Sequence, residues 1–440
     1  MNFIYFSTLA WDEADGAHNP TQIARALAQR GHMALFVEPQ PSASRDSVNL
    51  PLRVVALTEL GMSPMQLRRA WYGLDSGEMN HIAENLLQLI CAWDAAPPRV
   101  AIFPAPFDPF VRLIPFLRAH NFSMVYYAMD DFAAAPALGY TQFATGAEEY
   151  LVRHSDVLCA VTSHIAQSLE RFGKSAHVIP NAVDLKMWDT SSSLKGTSIE
   201  RGELTLGFWG TLMDSMIDAD LIAYVAQARP RWMIHLLGAC DPEAHRPSIA
   251  ARLEKFPNIF FHGAVPHAEL PRYAAAFDVA VAPFPDNAFT RGRDPLKVYE
   301  YLAAHLPVVV SYAPQLAHVP YVFIAHSPAE FLQAVERAAP TPIDHRELDA
   351  FLEQQSWDAR AEALLDILPT TTRRITSNTS ATLLPTFANP NVETVMRYAN
   401  ALESELAQVQ NWARALEQQA QQRTAFSGVK RLLPTRKTHS

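Results

Sequence analysis

The stretch RGRDPLKVYEYLAAHLPVVVS, residues 291–311, decides how this chain folds. The pair Asp294-Pro295 precedes apolar residues at helical spacing, and the unbroken apolar run PVVVS follows. Aspartate is a good N-cap and proline a good first helical residue. The spacing therefore predicts a helix over 295–304 and a strand over 307–312. Just upstream, DVAVAPF (278–284) is another unbroken apolar run. Strand, helix, strand, with strands apolar on both faces, is the unit of a parallel sheet covered by helices. The stretch also raises a question of charge. Arg291, Arg293 and Lys297 gather at a helix start in a chain of formal net charge −9. Cations oppose the helix dipole at that end, whereas phosphate is welcome there. The cluster points to an anionic ligand.

The same alternation fills the chain on both sides. Strands are predicted over 2–9, 33–39, 99–105, 123–131, 156–162 and 176–184, with helices over 21–31, 78–94, 108–119, 143–154 and 163–173. A second set has strands over 204–210, 232–238, 259–265, 278–284 and 307–312, with helices over 217–228, 246–255, 268–276 and 295–304. The expected fold class is α/β: two doubly wound Rossmann-like domains, 1–188 and 204–344, facing across a cleft. A polar linker, 189–203, joins them. A helical pattern over 345–368 closes the second half. A Thr-, Ser-, Asn- and Pro-rich tether, 369–390, leads to a C-terminal helical extension, 391–423. There Val395, Ala399, Leu402, Leu406, Val409, Ala413, Leu416 and Ala420 form a thin 4,3-spaced seam, which is either a coiled coil between copies or one amphipathic helix lying back on the body. The tail 424–440 carries four Lys/Arg and no acid, and it suits contact with anionic lipid at about 1 kcal/mol per basic residue.

Composition narrows the function. The chain is 49% hydrophobic and 18% charged, the composition of a globular protein with real cores. Its pI near 6.0 argues against nucleic acid as a partner. The widely spaced Cys91, Cys159 and Cys240 suggest buried thiols in a reducing compartment. The N-terminus lacks a basic signal-like region, and no apolar run reaches the roughly 18 residues of a membrane span. The expected location is the cytoplasm, with peripheral contact at the inner membrane face.

Three places carry chemistry. The first is the helix at 295–304. Lys297 can reach over its N-terminus, and Glu300 lies one turn on along the same face. A diphosphate needs N–H donors and cations, and a ribose needs a carboxylate, so this order supplies both. The other reading is a Lys297–Glu300 surface ion pair with solvated arginines. The second place is LGFWGTLMDSMID (206–218). Gly207, Gly210 and Thr211 would let backbone amides approach a phosphate, or the glycines serve only the turn. Gly263, ending IFFHG, joins this set, as do Asp294, Pro295 and Leu296 at the helix start. The third place is YYAMDDFAAAP (126–136), where Asp130 and Asp131 end a buried strand. Asp130 is the candidate catalytic acid or base for an acceptor, beside Lys297 as the candidate catalytic cation. The alternative is a structural salt bridge for Asp130 and a helix cap for Asp131. His18, in the loop after the first strand, is either a further substrate contact or simply solvated. FGKS (172–175) lacks the first glycine of a phosphate-binding loop, since Ser168 stands in its place.

The ordered set IPNAVDLKMW (179–188), LGFWGTLMDSMIDADLIAYVAQARPRWMIHLLG (206–238), HAELPRYAAAFDVAVAPFPDN (267–287) and DPLKVYEYLAAHLPVVVS (294–311) resembles the nucleotide-sugar glycosyltransferases of GT-B fold. Within them it is closest to the branch of teichuronic acid and other cell-surface polysaccharide transferases. The resemblance spans residues 3–368. It implies a nucleotide diphosphate-sugar donor bound by the second domain, a glycan or lipid-linked acceptor bound by the first, and retention of configuration. It implies no metal and no cofactor. Glu300 resembles the donor-ribose ligand. Many retaining relatives carry another glutamate eight positions earlier, where this chain has Gly292. Two rival functions share the sequence features: a nucleotide-sugar epimerase or hydrolase of the same fold, and a binding scaffold acting through 391–423.

Overall fold

Val, Ile, Phe and Tyr dominate the runs that become strands, and burial follows from them. Phe3, Ile4 and Phe6 of β1 (Asn2–Phe6) have no exposed surface, which requires a sheet covered on both faces. The structure is a computed structural model describing residues 1–44, 50–63, 74, 76–92, 98–135, 145–188, 197–240 and 249–369. The first sheet contains β1, β2 (Met33–Glu38), β3 (Leu52–Ala56), β4 (Arg99–Phe103), β5 (Phe122–Ala128), β6 (Val157–Ala160) and β7 (His177–Val178). Their order is β3-β2-β1-β4-β5-β6-β7. The second sheet contains β8 (Thr205–Trp209), β9 (Met233–Leu237), β10 (Ile259–Gly263), β11 (Val279–Ala282), β12 (Val308–Ser311) and β13 (Val322–Ala325), ordered β10-β9-β8-β11-β12-β13. Neighbouring strands pair in parallel, for example Ile4 with Leu35 and Ala101, and Gly207 with His235 and Ala280. Both sheets follow the doubly wound order in which ligands bind outside the carboxyl ends of the strands.

Two edge strands, β3 and β13, and the helix Pro328–Ala338 lie where the sequence reading placed nothing. The helix was signalled by Ser327 and Glu330: Ser327 Oγ accepts from the Glu330 N–H at 3.2 Å, and Glu330 reaches back to the His326 N–H at 2.9 Å. The strand expected over 176–184 shrinks to two residues. The pattern over 345–368 is two helices. His345–Glu353 buries Leu348 and Leu352 in the second lobe. The next helix, Trp357–Ile367, starts at an N-cap, Ser356, and does not close that lobe. It crosses back to lie on the helix Asn19–Gln29, with Trp357, Ala361 and Leu364 in the first core and Arg30 paired to Asp358 at 2.8 Å. Its apolar face completes the other lobe, so the chain passes between lobes twice. The thiols are free, but Cys91 is exposed and Cys240 half-buried, which leaves Cys159 as the buried one of the three. The tether from residue 370, the extension 391–423 and the tail lie outside the described residues. Among the described residues no helix is long and apolar enough to cross a membrane.

Candidate active site

The carboxyl ends of β8 to β11 supply the second lobe's side of the site. Gly210 ends β8 with φ +135°, and a Cβ there would lie 2.4 Å from Lys297 Nζ. Only glycine leaves that ammonium its place. Gly238, ending β9 with φ +149°, packs so tightly on Gly210 that a Cβ would come within 1.9 Å of the Gly210 carbonyl oxygen. Gly207 has another job than approaching phosphate: a Cβ there would meet the Phe277 ring at 2.0 Å. Thr211 is exposed at the next position. Gly263 accepts from the Gly238 N–H at 2.7 Å and adopts φ +69°. The loop after Thr211 does receive a cation, though not one from its own sequence: Arg252 pairs with Asp214.

After β11 a short helix, Ala288–Gly292, precedes the helix Leu296–Ala303, which has Pro295 as its N-cap. Asp294 does not cap it. Its buried carboxylate accepts from the Asn181 N–H at 2.6 Å and the Tyr299 hydroxyl at 2.9 Å. Asn181 Nδ2 donates to the Asp294 carbonyl at 2.6 Å, and Asn19 Nδ2 donates to Asn181 Oδ1 at 2.7 Å. Asp294 thus ties the helix start to the segment between lobes and to the first lobe. Burial pushes its pKa up to about 6, against the opposing hydrogen bonds from Asn181 and Tyr299. Leu296 packs against the first lobe's core. Arg291 is exposed and paired with Asp286, so it does not join the cation cluster. Arg293 is half-buried, its guanidinium 5.2 Å from the Phe289 ring centroid and beside Met216.

Lys297 and Glu300 make no ion pair with each other, contrary to the surface reading. Lys297 keeps part of its surface open, yet protein surrounds its ammonium, 4.4 Å from the Phe208 ring centroid and 5.8 Å from Phe284. Desolvation lowers its pKa to about 7; the nearby Arg293 adds to this and Glu300 opposes it. An anion between Lys297 and Arg293 would reverse that cost. Glu300 is buried and accepts from Trp209 Nε1 on one oxygen and from His267 Nε2 on the other, both at 2.7 Å.

The first lobe faces this group with Asp130. Its carboxylate is only partly open to solvent at the end of β5. Desolvation raises its pKa to about 6, with Arg293 pulling it down and Asp131 adding to the rise. Asp131 is buried, accepts from the Ala133 N–H at 3.1 Å and lies 3.4 Å from His164 Nε2. Thr162 donates across the lobes to the Gly292 carbonyl at 2.8 Å. A Cβ at Gly292 would lie 3.0 Å from His164 and 3.4 Å from Asp131. The space beside Gly292 is therefore filled from the first lobe. His18 is not solvated. It is buried, caps the helix Asn19–Gln29, and donates from Nε2 to the Ala10 carbonyl at 2.8 Å. Desolvation lowers its pKa to about 4.

The structure thus gathers Asp130, Arg293, Lys297, Glu300 and the Gly210 turn at one end of the sheets. It assigns Asp294, Leu296, Arg291 and His18 to other tasks. Sequence reasoning missed Trp209, His267, Asn181 and His164, whose partners lie 91, 33, 113 and 33 positions away along the chain. No local spacing reports contacts of that range. Among the described residues no group of three or more acidic, His or Cys side chains is arranged to hold a metal ion.

Residues 204–339 match the family described as "Glycosyl transferases group 1". Over 238 residues the chain is 23% identical to TuaH of Bacillus subtilis (strain 168), named as a teichuronic acid biosynthesis glycosyltransferase. That match covers 50% of this chain and 59% of TuaH, so the chain spans less than two thirds of the length of this relative. Sucrose-phosphate synthase from Thermosynechococcus elongatus superposes with a TM-score of 0.61 at 15% identity, over 83% of this chain and 98% of that one. HepE of Anabaena, solved with UDP and glucose, gives 0.57 at 16%, over 83% and 99%. The chain has the GT-B fold, and residues 204–339 of its second lobe match the glycosyl transferases group 1 family.

Proposed function

We propose that the protein transfers a sugar from a nucleotide diphosphate-sugar to a surface glycan or glycolipid, with retention and without a metal. The observation that carries this is the seating of Lys297 over Gly210, one helical turn from Glu300, inside the segment that matches the family. In the reaction the bond from the sugar to the diphosphate oxygen breaks and a bond to the acceptor oxygen forms. The diphosphate leaves with added negative charge. Lys297 and Arg293 stabilise it electrostatically in a site shielded from water. Asp130 accepts a hydrogen bond from the acceptor hydroxyl and orients it, and the hydroxyl proton passes to Asp130 or to the departing diphosphate.

The test is calorimetry with UDP, GDP and ADP, followed by turnover of the matching nucleotide-sugar with and without a lipid-linked acceptor. UDP leads the panel because HepE binds it. Binding plus acceptor-dependent release of nucleotide is the expected result. Conversion of donor without acceptor would make the protein an epimerase or hydrolase, and binding without turnover would make it a scaffold. The anomeric configuration of the product decides retention.

A further inference from the structure

Glu300 is held from two sides by residues far apart in the chain. Trp209 donates to one carboxylate oxygen and His267 to the other. His267 itself is fixed three ways. Its backbone N–H donates to the carboxylate of Asp15, which belongs to the first lobe and sits at φ +55° beside Gly16 at φ +74°. Its ring meets the edge of Trp188 at 6.1 Å and 84°, and Trp188 stacks on Trp209 at 5.3 Å and 13°. Its Nε2 holds Glu300. The His267 and Glu300 side chains are only 16% and 11% exposed.

We propose that His267 is a positioning residue that orients Glu300 toward the donor ribose, and that Asp15 makes this orientation depend on the first lobe. The inference rests on the nucleotide-sugar reading above. Its physical basis is the softness of a carboxylate's terminal torsion. One donor fixes one oxygen and leaves the plane free to turn. Two donors on separate oxygens fix the plane, and each oxygen keeps a lone pair for a ribose hydroxyl. The Asp15 bond places the backbone of His267, so the lobe that meets the acceptor also helps to shape the site for the donor's sugar ring. Nothing in the spacing of Glu300 from Lys297 announces this, because the positioning groups come from the end of β8 and from the turns that follow β1 and β10.

The experiment uses the full chain and whichever of UDP, GDP or ADP the parent binds most tightly, with its 2′-deoxy counterpart. The parent should prefer the ribose form about tenfold, the scale of a hydrogen bond to a charged group. His267→Ala should bind the ribose form about tenfold more weakly and lose the preference, His267→Gln should restore most of it, and Asp15→Ala should lose part of it. General damage to the site would weaken both nucleotides equally and leave their ratio intact. A preserved ratio in His267→Ala overturns the proposal, and an Asp15→Ala variant identical to the parent overturns its inter-lobe half. If His267→Ala does not fold, His267→Asn replaces it. Its amide is too short to reach Glu300, so Asn and Gln variants with equal ratios overturn the proposal. A parent that binds no nucleoside diphosphate sinks the functional reading and this inference together, whereas binding with an unchanged ratio sinks only this one.

Discussion

The two lobes have the same strand order and opposite habits at their carboxyl ends. In the first lobe, polar groups there are mostly consumed by the fold: His18 caps a helix, Asp131 holds a turn and Thr162 caps another helix. Asp130 is an exception. In the second lobe, the ends carry a cation with no carboxylate partner in the described structure and a glycine that makes room for it. The difference shows that strand order places a site, while a few residues per loop decide which lobe pays for holding unspent charge.

Lys297 should break the comparison most sharply. Lys297→Met is expected to cost on the order of 10²–10³ in turnover, the range for losing one preorganised electrostatic donor. The pH behaviour gives a second check. The folded-state pKa of about 7 lies below the ordinary 10.5, so the unfolded chain binds more protons between these values. Stability contributed by this group therefore rises with pH above 7. Nucleotide affinity should move the other way, falling up to about tenfold per pH unit above 7 as binding must bring a proton to Lys297. Calorimetry in buffers of different ionisation enthalpy should detect that uptake in the parent and not in Lys297→Met.

Asp130→Asn tests the other side. We expect a loss of about 10²-fold in turnover with nucleotide affinity nearly unchanged. Its folded pKa of about 6 is raised from 3.8, so the ionised carboxylate destabilises the fold and the contribution worsens as pH rises through this window. Asp130→Asn should therefore be more stable at pH 7, by about 1–3 kcal/mol in denaturant titration. A variant that keeps full turnover and loses stability would return Asp130 to a structural role. Glu300→Ala should weaken nucleotide binding by roughly 1.5–3 kcal/mol, read by the same calorimetry. The smallest effect is expected from ending the chain at residue 369. Nucleotide affinity should stay within about twofold, since the site's residues all precede that point, and a drop in solution mass would assign self-association to the extension.

Much of the fold was legible because buried parallel strands announce themselves. Runs such as SMVYYA and PVVVS have no polar alternation, and each is followed or preceded by a helical pattern. β3 and β13 escaped because both are short and their signals weak: Arg53 interrupts the apolar run of β3, and Val322, Phe323 and Ile324 of β13 are half-buried. The split of 345–368 into helices serving different lobes was hidden because amphipathicity reports a buried face without naming what buries it. In the site, Lys297 and Glu300 were readable from one helix. Asp294 misled, since an acid before proline looks like a cap while this one is drawn into a network through Asn181. His267 and Trp209 were unreadable because their roles exist only after the second sheet has formed.

Gly292 couples the two lobes in how this site can change. With His164 in place, a Cβ at 292 would be 3.0 Å from the imidazole, closer than ordinary van der Waals contact, so Gly292→Glu requires that half-exposed ring to shift by a few tenths of an ångström. Shortening His164 first removes that obstacle and leaves the Thr162–Gly292 backbone contact available. The cost of Gly292→Glu thus depends on the residue at 164, which is epistasis between the lobes. A mutational path toward an acidic residue at 292 in the second lobe is eased by a prior change in the first.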